Sequence, residues 1–575
     1  MTKWDRMNIV ALILGVIALF VEQADPGPLV AAIVHALDFC IMLLVILSAI
    51  DEIRNAAYRW NYVRNNWASL LFLSVFTGLF LYSKYLAFFV TDAVGFGALA
   101  AALRNVFLVF KVLSRMRKLL KLFERMAAKP AQTVVVSFAL VILVGAISLM
   151  LGASTPDGRG LGFLDALFTS TSAVCVTGLV VVDTATALSR FGQAAVLALI
   201  QIGGLGIMLF SFFVMVALRR RLSLKDRLTV SYMLSEDDLS GLSRSLGAIV
   251  LSTLGIESLG AIALFIRFAA LEYSVADAAF FAAFHAVSAF CNAGFALFSD
   301  SLESFRRDPF VTATVALLIV AGGISFGVIR DVRAWLRSVA GRLFRREGAR
   351  RVLVPSQNSM VVLSITGILL LSGFIAFYLL EHEGVMADYG LGEQYLGSFF
   401  QSVTLRTAGF NSVPFGSLRD ATLVFMLLFM FIGGASGSTA GGIKVNSLAA
   451  MGAYLASFLR QERQARIGRA SIAPEKIGRA FLILVFGLCA VFFGTFILSL
   501  TEDAPFLDVL FESVSAFGTV GLSTGITPGL SGVGKSTVIV LMFLGRLGPL
   551  TILTAASRKE PQGFVEYPQG DLAIG

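Results

Sequence analysis

The sequence predicts an all-α polytopic membrane protein: four pseudo-repeated helix–pore loop–helix units around one pore, preceded by four further membrane helices. Two observations carry the prediction. The 575-residue chain is 57% hydrophobic and only 14% charged, with a mean hydropathy of +0.83, which excludes an ordinary soluble globular protein. In addition, a Phe is followed ten positions later by Gly and then by Leu or Phe four times, at Phe168 to Gly178, Phe284 to Gly294, Phe399 to Gly409 and Phe511 to Gly521. The glycines lie 116, 115 and 112 residues apart, so one unit has been repeated four times. Each unit reads as apolar run, acidic linker, short segment rich in Ser, Thr and Ala, glycine, second apolar run. Backbone carbonyls that replace an ion's hydration shell need an extended segment, and glycine takes the required angles without blocking the hole. A single such glycine reads more simply as a helix terminator; four at one spacing favour the pore.

Residues 1–129 read as an N-terminal four-helix membrane domain with apolar runs near 7–21, 29–50, 67–90 and 94–123. The first run, behind Lys3 and Arg6, imitates a signal peptide, but no convincing small-residue cleavage site follows it, and it reads as a retained helix. Arg54, Arg59 and Arg64 put the loop between the second and third runs inside, so both ends of the block are cytoplasmic. In the fourth run Arg104, Lys111, Arg115, Lys118 and Lys121 share a helical face. That face resembles the last helix of a voltage sensor, with Glu22, Asp38, Asp51 and Asp92 as counter-charges. Its cations nevertheless crowd towards the cytoplasmic end, where Lys and Arg snorkel to lipid headgroups. On this second reading, neutralising Lys111 and Arg115 is expected to leave the voltage dependence of current unaltered; a shifted activation curve would favour a sensor.

The four pore units span 130–228, 229–352, 353–470 and 471–575. Their apolar runs are 133–151 and 191–218, 247–268 and 310–335, 360–380 and 422–459, and a last pair between about 477 and 556. Such lengths suit spans of about 20 residues. A pore helix aimed into the membrane turns its partial negative charge on the cavity, which favours a dehydrated cation. The formal charge of +9 and pI near 9.5 do not signal nucleic acid, because the cations sit in short loops: Arg219 to Arg227, Arg330 to Arg351 and Arg460 to Arg469. These mark the cytoplasmic side, and both chain termini are expected there. The alternate loops carry Asp157, Asp183, Asp300, Glu303, Glu381, Glu383, Glu502 and Asp503 beside the glycines, where they either concentrate cations or are plain solvated charge.

A second repeated signal lies in the later helix of each unit: Gly203-Gly204, Gly322-Gly323, Gly433-Gly434, then Gly545-Arg546. Paired glycines break a helix or permit close packing, the commoner use in membranes. In unit three the stretch Gly433, Gly434, Ala435, Ser436, Gly437, Ser438, Thr439, Ala440, Gly441, Gly442 up to Lys444 is too rich in Gly, Ser and Thr to stay helical. Non-helical backbone at membrane depth is tolerated where it is buried in protein or lines water, so the stretch reads as a loop across the pore. Arg546 puts a permanent cation at the matching place of unit four, and such charges face a cavity or a partner. Together they read as a gate.

Other features carry less. Cys40, Cys175, Cys291 and Cys489 show no metal or disulfide pattern, and His35, His285 and His382 are scattered, with a packing or capping role expected for His285. Gly529 to Ser536 matches a phosphate-loop pattern, but a membrane run follows it and no buried strand precedes it, so nucleotide binding there is not expected. Gly203 to Gly206 lacks the third glycine of a dinucleotide fingerprint. The chain reads as a transport protein and not as an enzyme.

Thr171-Ser-Ala-Val-Cys-Val-Thr-Gly-Leu179, Ser288-Ala-Phe-Cys-Asn-Ala-Gly-Phe295, Thr404-Leu-Arg-Thr-Ala-Gly-Phe410, Ser515-Ala-Phe-Gly-Thr-Val-Gly-Leu522 and the Gly433 to Lys444 stretch resemble the membrane subunit of the Trk/Ktr/HKT potassium transporters, of the KtrB type. The likeness covers roughly residues 130–575, including the ending from Tyr567-Pro568 to Gly575. It implies a K+-translocating subunit, a homodimer in the lipid bilayer of a bacterial inner membrane. A cytoplasmic ring of KtrA-type nucleotide-binding subunits would control it, so nucleotide would act only through a partner and Na+ as activator or coupled ion. The resemblance assigns the K+ filter to the positions of Gly178, Gly294, Gly409 and Gly521, and the expected filter segments run through Val174, Cys175, Val176 and Thr177; Cys291, Asn292 and Ala293; Arg406, Thr407 and Ala408; and Gly518, Thr519 and Val520. It assigns the gate to residues 433–442, Lys444 and Arg546. Unit three departs, since its Ser and Thr residues shift by one place and it carries Arg406. Related plant transporters with Ser at the place of Gly178 are associated with sodium selectivity. Passive permeation is the expectation; sodium-coupled transport and a subunit of an ATP-driven pump are the alternatives. A pump should carry buried carboxylates, of which the pore helices are nearly free.

Overall fold

The computed structural model describes residues 130–206, 242–271, 273–343, 354–468 and 470–556, together with Arg54. The rest of the N-terminal block 1–129, the basic loop Arg219 to Arg227 and the ending 567–575 lie outside the described residues.

In unit one, α1 (Pro130–Leu149) leads to the pore helix α2 (Phe163–Cys175), and beyond Gly178 the chain returns as α3 (Arg190–Leu205). Unit two repeats this with α4 (Leu242–Ala269), α5 (Val275–Cys291) and α6 (Pro309–Gly323), followed by α7 (Phe326–Leu343). Unit three has α8 (Gln357–Glu381), α9 (Leu391–Thr404), α10 (Asp420–Phe431) and α11 (Val445–Leu459). A hairpin of β1 (Arg466–Ile467) and β2 (Ala470–Ser471) leads to unit four: α12 (Pro474–Thr501), α13 (Phe506–Gly518), α14 (Gly532–Leu547) and α15 (Pro549–Ala556). The helix starts follow from local chemistry. Ser189, Ser274, Ser356 and Ser531 each accept at Oγ from the N–H three residues on, and Asp308 accepts from Phe310 and Val311 ahead of a first turn that opens with Pro309. α4, α8 and α12 are long and apolar enough to cross a membrane. Leu251, Leu259, Ile262 and Ile266 of α4 and Phe492, Phe493, Phe496 and Leu500 of α12 stand exposed, a surface suited to lipid.

The units close into a circle. α3 packs on α5, α6 on α9, α10 on α13, and α14 on α2, so each second helix touches the pore helix of the next unit and the fourth returns to the first. Phe168, Phe284 and Phe511 are fully buried, as their shared spacing suggests. In unit three the buried ring is Phe400, while Phe399 is 40% exposed; the chain there is one residue shorter to the glycine, so the repeat holds in space with a one-place shift.

The second apolar runs are not the unbroken spans expected from their length. The chain bends by 109° between α6 and α7 and by 93° between α14 and α15, and residues 432–444 between α10 and α11 are not helical. α3 and α14 stop at Gly206 and Gly548, both at φ 78°, a left-handed conformation that ends a helix at little cost only for glycine. The glycines of units one, two and four therefore lie at the ends of their helices, and Gly433-Gly434 lies just past the end of α10, as well as allowing close packing.

Candidate functional site

The pore helices end in one device. In units one, two and four the residue two before the glycine turns left-handed: Val176 at φ 56°, Asn292 at 59° and Thr519 at 50°. The following N–H, of Thr177, Ala293 or Val520, reaches back 2.8 Å to the carbonyl of Ser172, Ser288 or Ser515, the six-to-one bond of a Schellman stop. In unit three Thr407 turns left-handed at 61°, and Ala408 N–H binds the Thr404 carbonyl at 3.0 Å, one residue nearer. A β-branched Val at this φ is strained by about 1–3 kcal/mol, as is common where function requires a fixed backbone. The same serines hold the next step: Ser172 Oγ accepts from Gly178 N–H at 3.0 Å and Ser515 Oγ from Gly521 N–H at 3.2 Å.

Gly178, Gly294, Gly409 and Gly521 stand at φ 96°, 70°, 79° and 90° and form a ring. A Cβ on Gly178 would fall 2.6 Å from Ala293 O, one on Gly294 3.0 Å from Ala408 O, one on Gly409 2.6 Å from Val520 O, and one on Gly521 against Thr177 O. Each glycine thus meets the carbonyl that precedes the next, and the fourth closes on the first. The buried hydroxyls of Thr177, Thr407 and Thr519 have no hydrogen-bond partner among the described residues. Val174, Cys175, Cys291 and Ala293 are buried, as is Arg406, whose Nε and Nη2 also find no partner among the described residues.

All four glycines line one cavity of about 380 Å³, together with Asp183, Asp300, Glu303, Ser523 and Thr527. Of the eight acidic residues expected beside the glycines, only these three line it. Burial first, and Asp300 second, push the Glu303 carboxyl above its ordinary value. Glu381 is fully buried, accepting from Arg419 N–H at 3.0 Å, Val385 N–H at 3.0 Å and Thr422 hydroxyl at 2.5 Å. Glu502 accepts the Ser531 N–H and hydroxyl at 2.9 and 2.5 Å, and Asp157 binds Arg159 N–H at 3.2 Å. Helix and turn capping use up those charges.

On the other side of the ring lies the loop of residues 432–444. Its neck is pinched by Gly433 N–H to Ile443 O at 2.9 Å. Ala435 and Thr439 N–H groups bind Gly323 and Gly322 carbonyls at 3.1 and 3.3 Å, and Thr439 hydroxyl donates to Phe290 O at 3.2 Å. Ser438 hydroxyl turns back to Ala435 O at 2.7 Å and Ser436 N–H meets Asn446 Oδ1 at 3.2 Å. Gly437 and Gly442 take positive φ, and a Cβ on Gly441 would strike Thr519 Oγ1. Lys444 Nζ curls onto Ala440 O and Gly441 O at 2.6 and 3.3 Å. Arg546 donates from Nη1 to Thr439 O and from Nη2 to Gly203 O, tying the loop to unit one. Gly203, Gly322 and Gly545 press against the carbonyls of Val174, Phe290 and Phe517, each four residues before its ring glycine.

His285 packs and caps: its Nδ1 lies 2.7 Å from Phe281 O, and Nε2 accepts from Leu297 N–H at 3.2 Å. Lys535, in the sequence that mimics a phosphate loop, pairs with Asp165 at 2.7 Å and so ties unit four to unit one. Cys175 and Cys291 are buried free thiols and Cys489 is exposed; Cys40 lies outside the described residues. Gln401 and Glu512 went unmarked by sequence reading, and Glu512 is a fully buried carboxylate inside a pore helix. Aligning the four units back from their glycines, with the one-place gap in unit three, would have picked out both.

The TrkH family, described as cation transport protein, matches residues 101–567, reaching somewhat further towards the N-terminus than the motifs did. The chain is 40% identical over 446 residues to the Ktr system potassium uptake protein B of Bacillus subtilis, covering 78% of this chain and 97% of that one. It is 35% identical over 460 residues to the potassium/sodium uptake protein NtpJ of Enterococcus hirae, covering 78% and 98%. The crystal structure of the potassium transporter TrkH from Vibrio parahaemolyticus matches with a TM-score of 0.61 at 17% identity, covering 85% of this chain and 97% of that one, a likeness of fold.

Proposed function

The chain belongs to the TrkH family of cation transport proteins, and from that premise we propose that it is the ion-translocating subunit of a potassium uptake system. Permeation is passive, through the ring of four glycines, with residues 433–444 and Arg546 as the gate. The observation that carries this reading is the closed circle in which each glycine, at positive φ, meets the carbonyl preceding the next. Carbonyls and the C-terminal ends of four pore helices converge there, and both favour a cation stripped of water. Potassium as the ion is supported by the names of the Bacillus and Enterococcus relatives. A monovalent cation entering down 100 mV gains about 2.3 kcal/mol, sufficient drive without chemical coupling.

Asp183, Asp300 and Glu303 gather cations at the outer mouth. The loop beneath the ring, held by Arg546, blocks the path until it moves. The protein works as a homodimer in a bacterial inner membrane with both termini cytoplasmic, and a KtrA-type ring binds nucleotide on its behalf. The word "system" in the Bacillus relative's name supports such a partner. Sodium coupling is the second reading, favoured by the name of the Enterococcus relative. The test is rubidium uptake into proteoliposomes with sodium varied on each side. Uptake set by the rubidium gradient and the potential alone is expected; uptake that needs a sodium gradient would replace the passive reading with the coupled one.

A further inference from the structure

Counted back from the ring glycines, with the one-place shift of unit three, one position in the four pore helices holds Thr169, His285, Gln401 and Glu512. All four are buried. Three of them grip the chain just beyond the glycine. His285 Nε2 accepts from Leu297 N–H at 3.2 Å, Gln401 Nε2 donates to Ser412 Oγ at 3.2 Å, and Glu512 Oε2 accepts from Ser523 hydroxyl at 2.8 Å while Oε1 accepts from Thr527 hydroxyl. The amide is neutral, and so is the imidazole, whose Nδ1 turns to Phe281 O and whose Nε2 faces a donor. The fourth is a carboxylate. Gly525 N–H occupies Ser523 Oγ at 3.0 Å, which leaves the serine proton for Glu512. Thr527 hydroxyl also stands 2.9 Å from Ser523 Oγ, so the three contacts fit a protonated side chain as well as an ionised one that accepts from both hydroxyls, and a cation held at the ring favours the ionised form. Among the described residues no basic side chain pairs with Glu512. Its two hydroxyl partners line the cavity shared by the ring glycines. When ionised, the group has the cation in that cavity as its counter-ion, and its field reaches that cation through the low-dielectric wall.

We propose that Glu512 is an occupancy- and specificity-determining residue: a carboxylate behind the wall of the outer mouth that raises cation occupancy at the ring, while His285 and Gln401 hold the equivalent loops without charge. The inference rests on reading the ring as the cation path. Glu512→Gln keeps the shape and one acceptor but removes the charge. In proteoliposomes containing the full chain, the rubidium concentration for half-maximal uptake is expected to rise about threefold or more, with the saturating rate retained. A merely structural clamp would do the reverse, because a loosened loop lowers the rate at saturation. Gln401→Glu, which adds a carboxylate at the equivalent place, is expected to lower the half-saturating concentration, and it gives a reading even where Glu512→Gln fails to reach the membrane. An unchanged half-saturation in either variant, or a change confined to the maximal rate, overturns the proposal. Lack of uptake by the unaltered protein would instead sink the pore reading, and this inference with it.

Discussion

Replacing Gly178 with Ser is expected to lower the ratio of rubidium to sodium uptake by about tenfold, which corresponds to about 1.4 kcal/mol of lost discrimination. Gly178 stands at φ 96°, where an L-residue is strained by roughly 1–2 kcal/mol. Its new Cβ would lie 2.6 Å from Ala293 O and 2.9 Å from Gly294 Cα, closer than real side chains come. The ring must yield at the quarter between units one and two, and the carbonyls can no longer keep the spacing that suits a large dehydrated ion. The added hydroxyl supplies a ligand that suits a smaller one. Gly178→Ala separates the two effects, since it crowds the ring without adding an oxygen. The measurement is paired rubidium and sodium uptake in vesicles with equal amounts of folded protein. An unchanged ratio would mean that Gly178 does not line the selective part of the path, and the four-glycine reading would lose its main support.

Arg546→Ala is expected to raise flux in the absence of any regulator by about tenfold or more. The guanidinium bridges Thr439 O of the loop and Gly203 O of unit one, and hydrogen bonds to a charged donor are each worth about 1.5–3 kcal/mol. If both exist only while the loop sits under the ring, removing them shifts the closed-to-open ratio by at least the tenfold that about 1.4 kcal/mol represents. The loop keeps its backbone bonds to Gly322 and Gly323, so partial opening is the expected result, and deletion of residues 433–442 should raise flux further. Arg546→Lys helps to locate the effect: a single ammonium keeps the charge but not the two-armed grip, so it should fall between the parent and Ala. Flux equal to the parent in a correctly folded Arg546→Ala protein would remove Arg546 from the gate.

The candidate site was legible in part. The ring glycines could be found because they are a repeat, and the loop of residues 433–444 because its Gly, Ser and Thr content cannot sustain a helix. The acidic residues were harder to sort. Asp183 and Glu381 look alike in sequence, yet one lines the cavity and the other is sealed under the start of α10 by Arg419 and Thr422. Phe399 and Phe400 could not be told apart by counting, because a one-residue shortening before Gly409 moves the buried position by one place and leaves the local composition untouched.

What the sequence by itself determined is therefore what depends on local length and composition. That comprises the membrane class, the four repeated units, their ring glycines and the stretch of residues 432–444 whose composition cannot sustain a helix. The tertiary structure alone decided the circular order in which α14 returns to α2, the closing of the ring between Gly521 and Thr177, and the partners of Arg546 and Glu512. Gly203 lies 343 positions from Arg546, and Thr439 lies 149 from Phe290. Over such separations no helical period relates one residue to another. Such pairs meet because four apolar units each bury one side against the next, and the polar groups left at the centre find partners only across that packing.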